Sequence, residues 1–254
     1  NLLYLSKSRK IIKVKKIIKT FDKKKIADIV LKNFSNKLTD GQLKILDEIE
    51  KDLKSNRRMF RLLQGDVGSG KTILSFISAS DVISSNYQVA FMAPTEILAN
   101  QHYQLAKKLF KGTNVILDIL TGKTGYKERN KILSNLENRT INLIFGTHSL
   151  FQNKIKFSNL GLIIIDEQHK FGVNQRLRLA KKGGKNCDLL LMSATPIPRT
   201  MMLSFYGDMD ISRLKEKPKN RHEILTLVKP ERKIDEIRPL LKNELTMDRQ
   251  IFWI

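Results

Sequence analysis

The feature that most constrains the fold of this chain is the stretch Gly65-Asp-Val-Gly-Ser-Gly-Lys-Thr72. It fits the pattern G-x-x-x-x-G-K-[ST] of a phosphate-binding loop, which requires a strand before it and a helix after it. The apolar residues Phe60–Leu63 and the stretch Thr72–Ser84 meet both requirements. The sequence therefore predicts a strand, a loop and a helix that together bind the phosphates of a nucleotide.

The residue types of this loop suit the binding of an anion. Glycines let the backbone curl so that successive N–H groups converge on phosphate oxygens, and the following helix adds the positive end of its dipole. Lys71 can reach the β- and γ-phosphates, and the Thr72 hydroxyl can bind Mg²⁺. The predicted nucleotide-binding residues of the loop are Gly65, Asp66, Val67, Gly68, Ser69, Gly70, Lys71 and Thr72.

A second motif, Asp166-Glu-Gln-His169, follows the apolar run Leu162–Ile165. A buried parallel strand would end there, and ligands bind at the carboxyl ends of strands in open α/β sheets. Asp166 is predicted to bind Mg²⁺ through a water or an outer coordination shell, and Glu167 to orient and deprotonate the attacking water. A cation also lets two adjacent carboxylates coexist. The two motifs together predict hydrolysis of a nucleoside triphosphate.

Strands and helices alternate along the middle of the chain, which predicts an α/β fold. Thr39 is a good N-cap for a helix that reaches about Lys54. Such alternation implies right-handed crossovers and a mostly parallel sheet with helices on both faces. The predicted strands are Phe60–Leu63, Val89–Ala93, Val115–Leu120, Ile141–Phe145, Leu162–Ile165 and Leu189–Met192, and the predicted helices between them include Thr72–Ser84, Glu96–Phe110 and Lys127–Leu136.

The composition favours a nucleic-acid partner and a cytoplasmic location. The formal net charge is +22, which favours a polyanionic partner, although a bias towards Lys, Ile and Asn codons explains it equally well. Cys187 is the only cysteine, which fits a reducing cytosol and excludes a disulfide framework. No apolar run approaches the roughly 20 residues of a membrane span, so no membrane partner is expected.

Three regions are predicted along the chain. Residues 1–35 form a basic helical linker segment, either a DNA-tracking helix or a linking helix with a solvated lysine face. Residues 36–214 form the nucleotide-binding domain, and residues 215–254 form a connector and the start of a second domain. Because the chain begins at Asn1 rather than Met and ends in the strand-like Gln250–Ile254, we expect it to be part of a longer protein.

Two further sites carry weaker signals. Ser193-Ala-Thr195 follows a predicted strand, so its hydroxyls could bond to the acidic motif and report the nucleotide state. An N-cap before Pro196 explains these hydroxyls equally well. Gln42 could read the adenine edge through its amide, or be an ordinary polar residue in the first turn of a helix.

With these residues identified, the chain from about Leu38 to Ile254 resembles the first motor domain of the superfamily-two helicases. Within them it is most similar to the helicases that remodel branched DNA. The resemblance implies a RecA-like fold that uses ATP and Mg²⁺. It rests on Arg61–Thr72, Ala93–Ala99 with Gln101-His102, Gly146–His148, Asp166–Val173 with Gln175-Arg176, and Ser193–Thr200.

The resemblance also implies roles for particular residues. Leu38-Thr39 with Gln42 would form an adenine-sensing motif, and Lys71, Asp166 and Glu167 would be the catalytic residues. Gln168, His169, Ser193 and Thr195 would couple hydrolysis to movement. The residues that would contact the DNA backbone are Thr95, Thr121, Gly122, Thr147 and His148.

The function implied by the resemblance is an ATP-dependent translocase that acts as a monomer on branched double-stranded DNA, such as stalled forks and Holliday junctions. A wedge domain would precede this chain and a second motor domain would follow it. The 254 residues alone should then hydrolyse ATP poorly. Two alternatives remain: a translocase of the transcription-repair coupling type, and a non-catalytic basic DNA-binding module with a relict nucleotide site.

Overall fold

The structure is a computed structural model that describes residues 25–152, 154–167, 184–195, 209–216, 228, 230, 232, 234–247 and 249–251. Contacts divide the chain into two compact units, Asn1–Pro218 and Lys219–Ile254. The predicted boundaries after residues 35 and 214 stay predictions. Most of the basic segment, residues 1–24, lies outside the described residues.

The first unit contains a seven-stranded sheet in the order β3-β4-β2-β5-β6-β1-β7. Every pair of neighbouring strands is parallel, so all the carboxyl ends lie at one edge. This confirms the predicted α/β class. The strands are β1 (Phe60–Gly65), β2 (Gln88–Met92), β3 (Leu117–Leu120), β4 (Leu143–Gly146), β5 (Leu160–Ile165), β6 (Asp188–Ser193) and β7 (Asp210–Leu214).

The six predicted strands are confirmed, with ends displaced by one or two residues. The seventh, β7, was not predicted because it has no continuous apolar run. It is an edge strand that pairs only with β1 in the described sheet. Its buried residues are Ser212 and Leu214, while Asp210 and Arg213 are exposed. Such a strand carries a much weaker sequence signal than a central one.

Five described helices accompany the sheet: α1 (Lys25–Asn33), α2 (Asp40–Lys54), α3 (Lys71–Ser84), α4 (Glu96–Leu109) and α5 (Tyr126–Glu137). Short 3₁₀ turns lie at His148–Phe151 and Gly184–Asn186. The α2 N-cap is confirmed, because the Thr39 side chain accepts from the Gln42 N–H while Gln42 reaches back to the Thr39 N–H. Among the helices described, none is long and apolar enough to cross a membrane.

Helix α3 is the central helix of the unit. Its residues from Ile73 to Ile83 are all buried, so it is packed on every side. It contacts the sheet as well as α1 and α2. Helix α1 buries Ala27 and Val30 and packs on α3 and α4. The described part of the basic segment therefore lies against the domain.

Strand side chains alternate between two apolar clusters, one on each face of the sheet. Leu63 and Phe91 belong to the cluster that also contains residues of α1 to α4. Leu62 and Ala90 belong to the cluster that includes Ile132 of α5. This alternation is the two-residue period of a strand buried on both faces. The strand ends are therefore fixed from both sides.

A buried arginine fixes α2 beside the start of β1. Arg61 donates to Asp52 at 2.7 Å and to Glu48 at 3.2 Å, both on α2. It also donates to the Ser212 hydroxyl on β7 at 2.7 Å. The network therefore holds the C-terminal half of α2 against β1 and β7.

The second unit contains one described α-helix, α6 (Ile234–Thr246). It includes Pro239, and none of its described side chains is buried. The predicted connector and start of a second domain stay predictions.

Candidate functional site

Three neighbouring strands, β5, β6 and β1, carry the nucleotide motifs at their carboxyl ends. Asp166-Glu167 follows β5, Ser193–Thr195 lies at the end of β6, and Gly65–Thr72 follows from β1. Gln64 of β1 lies opposite Ser193 of β6 in the register. The motifs that were separate in the sequence therefore lie side by side at one edge of the sheet.

The phosphate loop bends at two glycines with left-handed backbones. The φ angles are +76° at Gly68 and +92° at Gly70, values that residues with a Cβ rarely adopt. Gly70 is also the N-cap of α3, and no side chain caps this helix in the described structure. The first N–H groups of α3 are thus suited to bind an anion.

Replacing Gly70 with alanine should cost more stability than the same change at Gly68 or Gly112, which also have left-handed backbones. A Cβ at Gly70 would lie 2.3 Å from the Gln42 Nε2. A Cβ at Gly68 or Gly112 would have no atom within 4 Å apart from those of its own residue and its two chain neighbours. Gly68→Ala and Gly112→Ala should each lower the free energy of unfolding by about 1–2 kcal/mol through backbone strain. Gly70→Ala should lower it further. Urea unfolding of the three variants tests this order.

Gly112→Ala is the matched control for ATP binding, because Gly112 lies in the turn after α4 and has similar strain at φ +86°. Its affinity for a fluorescent ATP analogue should equal that of the wild type, while Gly70→Ala should bind weakly. Equal loss of affinity in both variants would show that general destabilisation is the cause.

Ser69 provides direct support for a ligand in this loop. Its hydroxyl oxygen is buried and has no hydrogen-bond partner among the described residues. A buried unsatisfied polar group costs about 1–3 kcal/mol. A phosphate oxygen or a water bound in the loop would supply the partner. The loop therefore fits the phosphates of a nucleotide by its backbone shape and by this hydroxyl.

Lys71 lies buried at the start of α3, with its ammonium in the loop. Its Nζ donates to the Gly65 carbonyl at 2.7 Å and to the Asp66 carbonyl at 3.0 Å. Burial lowers the pKa of Lys71 below its ordinary value of 10.5, and the charges of Asp166, Glu167 and Asp66 act in the opposite direction. The ammonium therefore interacts electrostatically with the acidic motif that follows β5.

The acidic pair is held in a defined geometry at the end of β5. The Asp166 N–H donates to the Met92 carbonyl on β2 at 2.8 Å. The Asp166 carboxylate accepts from the Glu167 N–H at 2.9 Å through Oδ1, and Oδ2 lies 2.8 Å from the His102 Nε2. Glu167 itself has a left-handed backbone, with φ +47°. Strain of this kind costs about 1–3 kcal/mol and is common at functional sites.

The donor set at this edge fits Mg²⁺ when a nucleotide is bound. In the described part of the chain, no group of three or more His, Cys, Asp and Glu side chains could hold a metal alone. In nucleotide sites Mg²⁺ uses one or two carboxylates together with phosphates and waters. Thr72 and Asp166 are oxygen donors of the required kind, so their predicted role as metal ligands stays a prediction compatible with the geometry.

Gln42 links the N-cap of α2 to the phosphate loop. Its Nε2 donates to the Ser69 carbonyl at 2.8 Å, and its Oε1 accepts from the Thr39 N–H at 3.0 Å. A primary amide can donate twice and accept twice. The Gln42 amide therefore retains capacity for a base edge, and adenine reading stays a prediction.

The Ser193–Thr195 motif is bonded to the strand that leads into the phosphate loop. The Ser193 hydroxyl donates to the Thr195 carbonyl at 3.1 Å. The same carbonyl accepts from the Gln64 amide at 3.1 Å. The predicted contact of this motif with the acidic pair stays a prediction. The predicted coupling residues Gln168 and His169 lie outside the described residues, as do 196–200.

The predicted DNA-contacting residues follow β2, β4 and β3, which are also neighbouring strands. Thr95 caps α4 by accepting from the Leu98 N–H. Ser149 donates to the Leu120 carbonyl at 2.9 Å, which joins the loops after β4 and β3. Thr95, Gly122 and His148 are exposed, Thr121 is half-buried and Thr147 is buried.

Sequence reasoning assigned no role to Gln64 and His102. Both lie inside the sequence stretches on which the family resemblance rests. Gln64 is a polar residue directly before the phosphate loop, and His102 is a polar residue within the predicted helix Glu96–Phe110. For Gln64, the signal available was a polar side chain at the end of an apolar strand, directly before Gly65. For His102, no local pattern indicates its partner.

The chain matches the family model described as DEAD/DEAH box helicase over residues 39–203. It is 44% identical to the ATP-dependent DNA helicase RecG of Thermotoga maritima over 228 residues, which cover 90% of this chain and 29% of that protein. It is 42% identical to RecG of Borreliella burgdorferi over 231 residues, which cover 91% of this chain and 34% of that protein. The chain spans about a third of the length of these curated relatives.

Solved structures show the same fold. A structure of RecG bound to a three-way DNA junction matches with a TM-score of 0.79 and 39% identity, over 97% of this chain and 33% of that chain. A DEAD box protein from Methanococcus jannaschii matches with a TM-score of 0.60 and 22% identity, over 75% of this chain and 53% of that chain. The RecA-like fold expected from the family resemblance is confirmed.

Proposed function

The chain belongs to the DEAD/DEAH box helicase family, and on that premise we propose that it is the first motor domain of an ATP-dependent translocase that remodels branched double-stranded DNA. The observation that carries the proposal is its 39% identity to the structure of RecG bound to a three-way DNA junction. The likeness covers 97% of the chain, so it includes both halves of the sheet edge.

On this proposal, each residue at the carboxyl ends of β5, β6 and β1 has a task in binding or hydrolysing the nucleotide. Lys71 and the N–H groups of the loop bind the phosphates of ATP, and Thr72 and Asp166 hold Mg²⁺. When bound there, Mg²⁺ would neutralise charge on the phosphates. Glu167 orients the attacking water and takes its proton. The Ser193–Thr195 loop is bonded through Gln64 to the strand before the phosphate loop, which supports a role in sensing the nucleotide.

The other half of the edge contacts the DNA backbone through Thr95, Gly122 and His148, whose exposure suits this role. Thr121, which is half-buried, and Thr147, which is buried, complete the proposed set of DNA-contacting residues. The complete protein acts in the cytoplasm as a monomer, with a wedge domain and a second motor domain that supply the remaining contacts.

The test is phosphate release by the complete gene product with a three-way junction or with linear duplex of equal length. The junction should stimulate hydrolysis more strongly than the duplex. Equal stimulation by both, together with binding to RNA polymerase, would favour a translocase of the transcription-repair coupling type. Absence of any DNA-stimulated hydrolysis would favour the non-catalytic DNA-binding module. The identity of 42–46% to RecG proteins supports the first outcome.

A further inference from the structure

His102 on α4 reaches across the sheet edge to the acidic motif. Its Nε2 lies 2.8 Å from Asp166 Oδ2, and the two side chains are only 11% and 12% exposed. An ionised carboxylate can only accept a hydrogen bond. The Nε2 of His102 is therefore the protonated ring nitrogen in this contact, an assignment made from the hydrogen-bond partner.

The imidazole is held in place by the aromatic core. Its ring centroid lies 4.6 Å from that of Phe91, which is fully buried on β2. Phe91 in turn packs against Phe145 at 5.3 Å and Phe76 at 5.6 Å. Because this packing restricts the ring, the direction of the Nε2–H bond is fixed before any ligand binds.

The contact completes the orientation of the Asp166 carboxylate. Oδ1 accepts from the adjacent Glu167 N–H and Oδ2 is bonded to His102. Each carboxylate oxygen has a second acceptor position, so both can still bind a water or a metal ion. Without His102, Asp166 would keep only one of these two contacts, the one from the Glu167 N–H. Its carboxylate would then rotate more freely about its side-chain torsions.

We propose that His102 is a positioning residue for Asp166. It fixes the carboxylate in the orientation that binds Mg²⁺ with the nucleotide, and it does so through one N–H donor. The same bond connects the helix that begins after Thr95, on the DNA half of the edge, to the nucleotide half. This inference rests on the proposed function, because that function assigns Mg²⁺ to Asp166.

The test compares His102→Leu, His102→Gln and His102→Asn in the complete gene product. The Gln amide nitrogen can reach the position of the imidazole Nε2, whereas the shorter Asn side chain cannot, and Leu has no donor. Mn²⁺ replaces Mg²⁺ as a paramagnetic probe, and its affinity is measured by electron paramagnetic resonance with a non-hydrolysable ATP analogue. The Mg²⁺ concentration for half-maximal ATP hydrolysis is measured in parallel.

His102→Leu and His102→Asn should weaken Mn²⁺ binding by roughly 10–100-fold, the usual effect of losing a residue that orients a metal ligand. Their affinity for the nucleotide without metal should not change, and His102→Gln should restore Mn²⁺ binding. Equal Mn²⁺ affinity in all four proteins overturns the inference, as does equal loss in the Gln, Asn and Leu variants. If the His102→Leu protein does not fold, the comparison of His102→Gln with His102→Asn still tests the inference.

The control for the underlying function is the wild type beside Lys71→Ala. If the wild type binds Mn²⁺ with the analogue and Lys71→Ala does not, the nucleotide site stands, and the His102 variants alone decide the inference. If the wild type binds no Mn²⁺ with the analogue, the proposed nucleotide site itself fails, and the inference fails with it.

Discussion

Glu167→Gln should slow ATP hydrolysis by roughly 10²–10⁴-fold, the usual contribution of a general base, while ATP and DNA binding stay intact. Glutamine has nearly the same shape as glutamate, but its neutral amide cannot accept the proton of water. Single-turnover phosphate release by the complete gene product measures the chemical step. Filter binding with labelled ATP and a three-way junction measures the two affinities.

The matched control is Glu137→Gln, which makes the same chemical change at the exposed end of α5. This variant should hydrolyse ATP at the wild-type rate. Both variants should melt at the wild-type temperature. At Glu167 this is because Glu and Gln have similar difficulty adopting the left-handed backbone found there, and at Glu137 because the side chain is exposed. Unchanged phosphate release by Glu167→Gln would remove this residue from the proposed mechanism.

Lys71→Ala should lower the rate of ATP hydrolysis by roughly 10²–10³-fold, the usual effect of removing one donor aimed at developing charge, and should also weaken ATP binding. Lys71 is buried in the loop, where its ammonium donates to the Gly65 and Asp66 carbonyls. Calorimetric titration with ATP measures the affinity, and phosphate release measures the rate.

Lys51→Ala is the matched control, since Lys51 is exposed and pairs only with Asp47 one helical turn earlier in the described contacts. Its removal should leave ATP binding unchanged, because Lys51 lies in the last turn of α2, at the other end of the helix from the Gln42 contact with the loop. If Lys51→Ala and Lys71→Ala weaken ATP binding equally, the loss of affinity comes from the lower net charge of the protein and not from the position of Lys71 in the loop.

The lowered pKa of Lys71 adds a pH dependence to the same interaction. Since burial lowers this pKa below 10.5, the ammonium loses its proton at a lower pH than an exposed lysine would. The charged form binds phosphate, so ATP affinity should fall as the pH rises through this lowered pKa. Lys71→Arg stays charged in that range, and its residual affinity should not show the fall.

The fold was largely predictable because its signals are local. An apolar run, a glycine-rich loop and a helix follow one another directly at Phe60–Ser84, and the loop chemistry requires this order. The capping box was half visible, since Thr39 was predicted as an N-cap and Gln42 as a possible polar residue of the first turn, while the bonds between them were not predicted. Strand β7 was not predicted, because an edge strand with exposed positions has no apolar run.

The contacts across the site could not be predicted, because they depend on the order of the strands. His102 and Asp166 are 64 residues apart in the sequence, and Gln64 and Thr195 are 131 apart. Each pair meets only because the sheet places β2 next to β5 and β6 next to β1. Spacing along the chain contains no information on this order, so the residue types were visible and their partners were not.

The division of the sheet edge has a consequence for how such a motor can diversify. On the proposed function, the loops after β3, β4 and β2 select the nucleic acid, and the loops after β5, β6 and β1 hydrolyse ATP. Substitutions in the first set can alter substrate choice while the chemistry is inherited unchanged. This independence ends where β2 meets β5, because the Met92 carbonyl binds the Asp166 N–H. A change there would alter specificity and turnover together.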